Sequence, residues 1–219
     1  MSFYELRLYS VESGRMPEML ARLHGPLKQL FARHGVTVID HGVATAGPSC
    51  PTFVYLMKWP SWQEREAAWA GFYADPEWHR VRAETNRGSE LVERFELHLL
   101  RESVGWHTPG PETTCYELLV SQCKIGASGA AHHMVREQLP TRLAERGAVL
   151  LGAFEFITGV DLPRFAFWLG WKDRAERDAG IDLLAINPLG RSQRWLLERV
   201  SLTTASVISS STSIKETNS

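Results

Sequence analysis

Two β-α-β-β-α-β halves in one chain, closed against each other as an α+β barrel, are the fold this sequence predicts. Three observations predict it. Tyr4-Glu5-Leu6-Arg7-Leu8-Tyr9 returns as Tyr116-Glu117-Leu118-Leu119-Val120-Ser121, a shift of 112 residues. The same shift pairs Gly35 with Gly147, Gly47 with Gly159, Trp59 with Trp171, Glu64-Arg65 with Glu176-Arg177, Asp75-Pro76 with Asn187-Pro188 and Arg82 with Arg194. One register held through glycines, tryptophans and caps marks a tandem duplication. Each copy carries the same order of periodicities, and strands such as Phe53-Val54-Tyr55-Leu56-Met57 are apolar on both faces. Two helices cover only one face of a four-stranded sheet, so the other face must be buried on the sister half.

The first strand spans Phe3 to Ser10, with Tyr4, Leu6 and Leu8 alternating against Glu5, Arg7 and Tyr9. Met16, Met19, Leu20, Leu23, Leu27, Leu30 and Phe31 then recur at helical spacing up to His34, with Gly35 as the stop. Pro26 lies inside that run and predicts a kink, because it lacks an N–H and clashes with the preceding turn. Val36–Thr45 and Thr52–Trp59 read as strands, the second central because it is apolar on both faces. Ser61-Trp62-Gln63-Glu64 is a capping box. Asp75-Pro76 ends one helix and starts the next, and Leu91–Leu99 closes the half as a strand.

The second half repeats the order: strand 115–123, helix 129–146, strands 148–158 and 164–171, a helix from 174 and a strand at 196–205. The domain reading is therefore a first half at 1–102, a linker at 103–114, a diverged second half at 115–205, and a disordered Ser/Thr-rich tail at 206–219.

Composition limits the function classes. The 219 residues are 44% hydrophobic and 22% charged with a formal net charge of −1, so no electrostatic argument favours nucleic acid or an anionic membrane as partner. No apolar run approaches the roughly 20 residues of a membrane helix, and a cytoplasmic location is the default expectation. Cys115 and Cys123 on one strand would lie about 26 Å apart at roughly 3.3 Å per residue, too far for a disulfide. With Cys50 they are expected to be reduced thiols, with no zinc-ligand spacing.

Tyr4-Glu5-Leu6-Arg7-x-Tyr9, Arg33-His34-Gly35, Glu64-Arg65-Glu66-Ala67-Ala68-Trp69 and Asp75-Pro76-Glu77-Trp78 resemble the motif set of the NIPSNAP family. The resemblance implies a ferredoxin-like fold of the dimeric α+β-barrel superfamily, here made by one chain. It covers residues 3–100 well and 115–205 weakly; the second copy departs at Leu119, Ser121, Gly190 and Arg191. The superfamily includes cofactor-independent monooxygenases, lactone isomerases, polyketide cyclases and haem-degrading enzymes, an analogy of fold alone.

A fused pair can specialise one site and lose the other, and the first half keeps Arg7, Tyr9, His34, His41, Trp78 and His79. The site is therefore expected there. Arg7 and Tyr9 share a strand face with Glu5, either as a buried ion pair holding the sheets together or as a cation and a phenol offered to an anionic or enolic ligand. His41, read as facing with Ile39 and Val43, is either a structural residue or the general base, its pKa being near neutrality. Glu155, between Phe154 and Phe156, is either a buried catalytic carboxyl or a solvated edge residue. Tyr55, Trp59 and Trp78 are aromatic candidates for a flat substrate, among tryptophans that otherwise fill the core. His132-His133 face apart on a helix and make a poor metal pair, and His34 suits a helix C-terminus.

The expectation is a small-molecule enzyme with no metal or other cofactor, acting on an aromatic or polyketide-like metabolite. Its chemistry would be acid–base isomerisation or cyclisation, or cofactor-free oxygenation, with His41, Tyr9 and Arg7 catalytic and Glu5, Tyr55, Trp59, Trp78 and Glu155 at the substrate. A non-catalytic binding or scaffolding protein is the alternative, and a haem protein ligated by His41 or His79 a weaker one. Association of such barrels into a homo-oligomer is left open.

Overall fold

The computed structural model describes residues 2–181 and 192–198. Chain order is β1 (Phe3–Val11), α1 (Met16–Arg22), a π-helical turn (Leu23–Leu27), α2 (Lys28–Arg33), β2 (Thr37–Ala46), β3 (Thr52–Trp59), α3 (Trp62–Ala74), α4 (Pro76–Asn86) and β4 (Val92–Val104). Then come β5 (Cys115–Gln122), α5 (Ser128–Glu137), α6 (Leu139–Ala144), β6 (Ala148–Phe156), β7 (Arg164–Trp171), α7 (Arg174–Ile181) and β8 (Ser192–Glu198). The strands close an antiparallel barrel in the order β1-β3-β2-β8-β5-β7-β6-β4, with β4 returning to β1. The two halves meet at two seams, β4 with β6 and β2 with β8.

The duplication is visible in the pairing. Glu5 stands opposite Met57 in β1–β3, as Glu117 stands opposite Leu169 in β5–β7. The β-bulge between Val38 and Asp40 recurs between Leu150 and Gly152. Both caps form as their residues demand: Ser61 accepts from the Glu64 amide, and Asp75 accepts from the Glu77 amide at 2.8 Å.

The last strand departs from the expected register. β8 runs 192–198 rather than 196–205, with Leu197 opposite Tyr116 where Leu100 is opposite Tyr4, so the shift of 112 is not kept there. Trp195-Leu196-Leu197 is the apolar segment on hand for the seam, whereas the equivalent of β4 would fall in the Ser/Thr-rich stretch. The expected Asn187-Pro188 cap, residues 199–205 and the expected tail lie outside the described residues.

Three cores follow from alternation on the strands. The even positions of β1 (Tyr4, Leu6) fill the barrel interior with Val54, Leu56, Leu118, Phe154 and Trp168 from both halves. The odd positions of β1 face the first half's helices, with Tyr55, Met57, Trp59, Trp69 and Phe72. A third cluster lies under the helices of the second half. Arg7 and Glu5 therefore do not hold sheet to sheet; they lie between sheet and helices.

Candidate functional site between the first sheet and its helices

Glu5 is 0% exposed, and a carboxylate so buried must be compensated. It accepts from Arg7 Nε at 2.5 Å, from Arg65 Nε at 2.5 Å and from Trp59 Nε1 at 3.0 Å. The second half keeps the core of this arrangement, with Arg177 Nη2 donating to Glu117 at 3.1 Å, but has Leu119 where Arg7 stands.

From Glu5 the network continues outward. The Arg7 guanidinium lies 4.0 Å from the Trp69 ring centroid, and Nη1 donates to the Tyr9 hydroxyl at 3.0 Å. The Tyr55 hydroxyl donates to the same oxygen at 2.6 Å. Burial works against the Arg7 charge, but Tyr55, Tyr9 and Glu5 outweigh it and hold the guanidinium above its ordinary range. Burial, reinforced by Tyr9, pushes the Tyr55 phenol well up and keeps it a donor. The Tyr9 oxygen thus receives two hydrogen bonds, and its own proton is left to point elsewhere.

Tyr9 lines a cavity of about 190 Å³. Arg7, Tyr9 and Tyr55 line it from the sheet, Trp69, Phe72 and Trp78 from α3 and α4, and Phe95 from β4. The opposite wall is α1 with Arg22, which is 5% exposed. Arg22 Nη2 donates to Asn86 Oδ1 at 2.6 Å, while Nε has no hydrogen-bond partner among the described residues. Burial lowers its pKa to about 10 despite the pull of Glu90. An exposed ion pair between Arg82 and Glu90 marks the rim.

The helix above the cavity bends as Pro26 predicts. Pro26 supplies no N–H and its ring disturbs the carbonyl of Arg22, so the chain widens into a π-helical turn at Leu23–Leu27, with Gly25 outside helical φ/ψ (−94°, −106°). The second half breaks likewise at Gln138, before Pro140.

The structure brings together Arg7, Tyr9, Tyr55 and Trp78, with Glu5 and Trp59 behind them, and it does not bring His41 or Glu155 to the same place. His41 stands opposite Tyr55 on the helix-facing side of β2, but its ring turns to His24, Nε2 to Nε2 at 2.9 Å. The pair lines a separate groove under α2 with Lys28 and Val38. The bulge between Val38 and Asp40 corrects the expected facing: Val38 and His41 share a side, while Ile39 packs into the barrel interior. Glu155 belongs to the other half, where His132 Nε2 lies 3.0 Å away and Arg101 Nη1 donates at 3.3 Å; His132 Nδ1 in turn meets Ser103 Oγ at 2.9 Å. His34 caps α2 and contacts Asp75 Oδ2 at 2.8 Å, and His79 is exposed on α4.

Sequence reasoning missed Arg22 and Phe95. Arg22 was readable: it falls three residues after Met19 on the apolar stripe of α1, where a charge needs a reason. Phe95 gave no such signal, since it is 52% exposed on a strand whose outward face is mostly polar.

Residues 4–102 match the NIPSNAP family model, and every residue lining the cavity falls within that match. The first half of this chain is therefore similar to the NIPSNAP family. No curated protein matches the chain. Among solved structures, a candidate monooxygenase from Lactobacillus acidophilus NCFM superposes with a TM-score of 0.63 at 12% identity, over 90% of this chain and 93% of that one. One of the same description from Fusobacterium nucleatum gives 0.59 at 11%, over 91% and 93%. A NIPSNAP family protein of unknown function from Agrobacterium tumefaciens is 23% identical over 45% of this chain and 85% of its own, with a TM-score of 0.40. The first two likenesses show the fold, an α+β barrel made by one chain, and nothing finer. No described helix is long and apolar enough to cross a membrane.

Proposed function

We propose that the NIPSNAP half binds an acidic aromatic metabolite and moves a proton on it through Tyr9. The observation that carries this reading is the pairing of two buried guanidiniums across an aromatic cavity. Arg7 donates to Glu5 and Tyr9, whereas Arg22 is buried, depressed in pKa and left with an N–H that has no partner among the described residues. A buried cation lacking an acceptor is costly, and an anionic or enolic ligand oxygen relieves that cost. The cavity is of a size for one or two rings, since a cavity of about 150 Å³ already takes benzene.

Tyr9 then has a definite role. With Arg7 and Tyr55 both donating to its oxygen, the Tyr9 proton is free for a ligand oxygen, and the phenolate left behind is held by the same two donors. The arrangement stabilises an enolate or phenolate and can return the proton, which is the requirement shared by isomerisation, cyclisation and cofactor-free oxygenation of an aromatic or polyketide-like substrate. The wider α+β-barrel likeness supports an enzyme of this type as analogy.

Titration calorimetry with 2-naphthoate and its methyl ester tests the binding half of the proposal. The acid is expected to bind the natural protein at least tenfold more tightly than the ester, and the Arg22→Met variant to lose that preference. Equal affinity for acid and ester in both proteins would refute it.

A further inference from the structure

A second cavity, of about 290 Å³, opens at one end of the barrel interior, on the far side of the sheet from the Arg7–Tyr9 site. Its floor is apolar: Leu6 and Leu8 of β1, Val120 of β5 and Phe156 of β6. Into it reaches Arg164, the first residue of β7, whose alternation with Ala166 and Trp168 turns it inward. The guanidinium carbon lies 4.5 Å from the Phe156 ring centroid. Among the described residues, Nε and Nη2 are buried atoms with no hydrogen-bond partner, and so is Nδ1 of His98, which enters from β4 opposite Leu6. Gly159, at φ +126°, gives the two room: a Cβ there would lie 2.9 Å from Arg164 Nη2 and 3.3 Å from His98 Nδ1.

We propose that this barrel mouth is a binding site for a small monocarboxylate with an apolar body, the carboxylate taken by Arg164 and His98 and the body by the Leu6–Phe156 floor. A guanidinium cannot shed its charge and needs acceptors when its N–H groups are removed from water. Its planar fork matches a carboxylate through two parallel hydrogen bonds. The acids of the neighbourhood do not fill that role. Glu96 and Asp161 are exposed at the rim, and neither lies within 4.0 Å of the Arg164 nitrogens; Glu96 instead lies 3.6 Å from His98 Nε2 and 3.8 Å from Arg94 Nη2. Their negative charge disfavours a dianion such as phosphate, so a single carboxylate is selected. Burial, with the Arg164 charge, lowers the pKa of His98, and the neutral ring can donate from Nδ1. The cavity lies at the small end of ligand pockets, which span roughly 300–1,000 Å³, and suits a short chain or a single ring. Residues of both halves build it, so it belongs to the fused barrel and not to the NIPSNAP half alone.

The test is calorimetric titration with straight-chain carboxylates from butanoate to octanoate, and with 1-octanol, on the full chain. At least one carboxylate is expected to bind saturably, and octanol at least tenfold more weakly than octanoate. Arg164→Met is expected to lose carboxylate binding at least tenfold without lowering the melting temperature, because it removes a charge two of whose nitrogens are buried with no hydrogen-bond partner among the described residues, and leaves an apolar chain on Phe156. Arg22→Met, in the other cavity, is expected to bind octanoate as the natural protein does, which separates this site from the first. The proposal is overturned if no carboxylate binds, if octanol binds equally well, if Arg22→Met rather than Arg164→Met abolishes binding, or if Arg164→Met melts several degrees lower, which would make the arginine structural.

Discussion

Tyr55 donates its hydroxyl proton to the Tyr9 oxygen across 2.6 Å, in a protein whose second half has Ser121 at the position of Tyr9. The pair is the end of a hydrogen-bond network in which Trp59, Arg65 and Arg7 donate to Glu5, and Arg7 in turn donates to Tyr9. Its last member, Tyr9, lines the cavity with a hydroxyl whose oxygen already accepts twice. Tyr9→Phe is therefore expected to fold and to lose turnover about 10²- to 10⁴-fold, the usual effect of removing one positioned acid–base group. Steady-state rates on any substrate found for the protein decide it, and an unchanged rate would exclude Tyr9 from the chemistry.

Glu5 and Arg7 are expected to differ sharply. Glu5→Gln leaves two guanidiniums facing a neutral amide in the core, and breaking a buried pair in this way costs about 3–5 kcal/mol. Arg7→Leu reproduces what Leu119 already does beside Glu117, so the fold is expected to tolerate it far better while ligand binding is lost. Denaturant unfolding of both variants checks the order; Arg7→Leu proving the more destabilising would contradict it.

Asp75 gives a pH dependence with a definite sign. Its contact with His34, the Glu77 amide and Arg33 lower its pKa to about 2, below the ordinary value of roughly 3.9. A carboxylate depressed in the folded state adds stability that is full above about pH 4 and lost as the pH falls toward 2. Asparagine caps a helix nearly as well, so Asp75→Asn isolates the charge. The melting temperature of the natural protein is expected to exceed that of Asp75→Asn at pH 7, and the gap to close by about pH 2. A gap that persists there would assign the effect to the cap alone.

The halves are expected to depend on one another. Residues 1–104 alone would expose the inner face of Tyr4, Leu6, Val54, Leu56 and Leu100 and leave β2 and β4 as open edges. Size-exclusion chromatography of that fragment is expected to show a homodimer or an aggregate; a stable monomer would count against the barrel as one cooperative unit.

What the sequence made legible follows from local rules. The caps at Ser61 and Asp75, the bend at Pro26 and the shift of 112 through β7 are set by residues close to one another in the chain or by their repetition. The barrel followed from strands apolar on both faces. The site was legible in part: Glu5, Arg7 and Tyr9 announce themselves by alternation, and Tyr55 and Trp78 prove to line the same cavity. The rest depends on geometry that alternation does not carry. One extra residue in the β2 bulge turns Ile39 inward, and a widened turn at Gly25 and Pro26 carries His24 to His41. The last strand leaves the repeat, with Leu197 opposite Tyr116 where Leu100 is opposite Tyr4. Arg22 and Arg164 are candidates because Arg22 Nε and Arg164 Nε and Nη2 are buried with no acceptor among the described residues, which alternation does not reveal.

The central claim, that Tyr9, Arg7 and Arg22 make the first-half cavity stabilise a ligand oxyanion, is tested most directly by the ionisation of a bound phenol. The naphtholate absorbance of 2-naphthol, followed against pH with the protein in excess, reports it. The bound phenol is expected to ionise at least one pH unit lower than the free one, with most of that shift lost in Arg22→Met and part of it in Tyr9→Phe. Binding that leaves the ionisation where it is in water, or a shift untouched by both substitutions, would contradict the account.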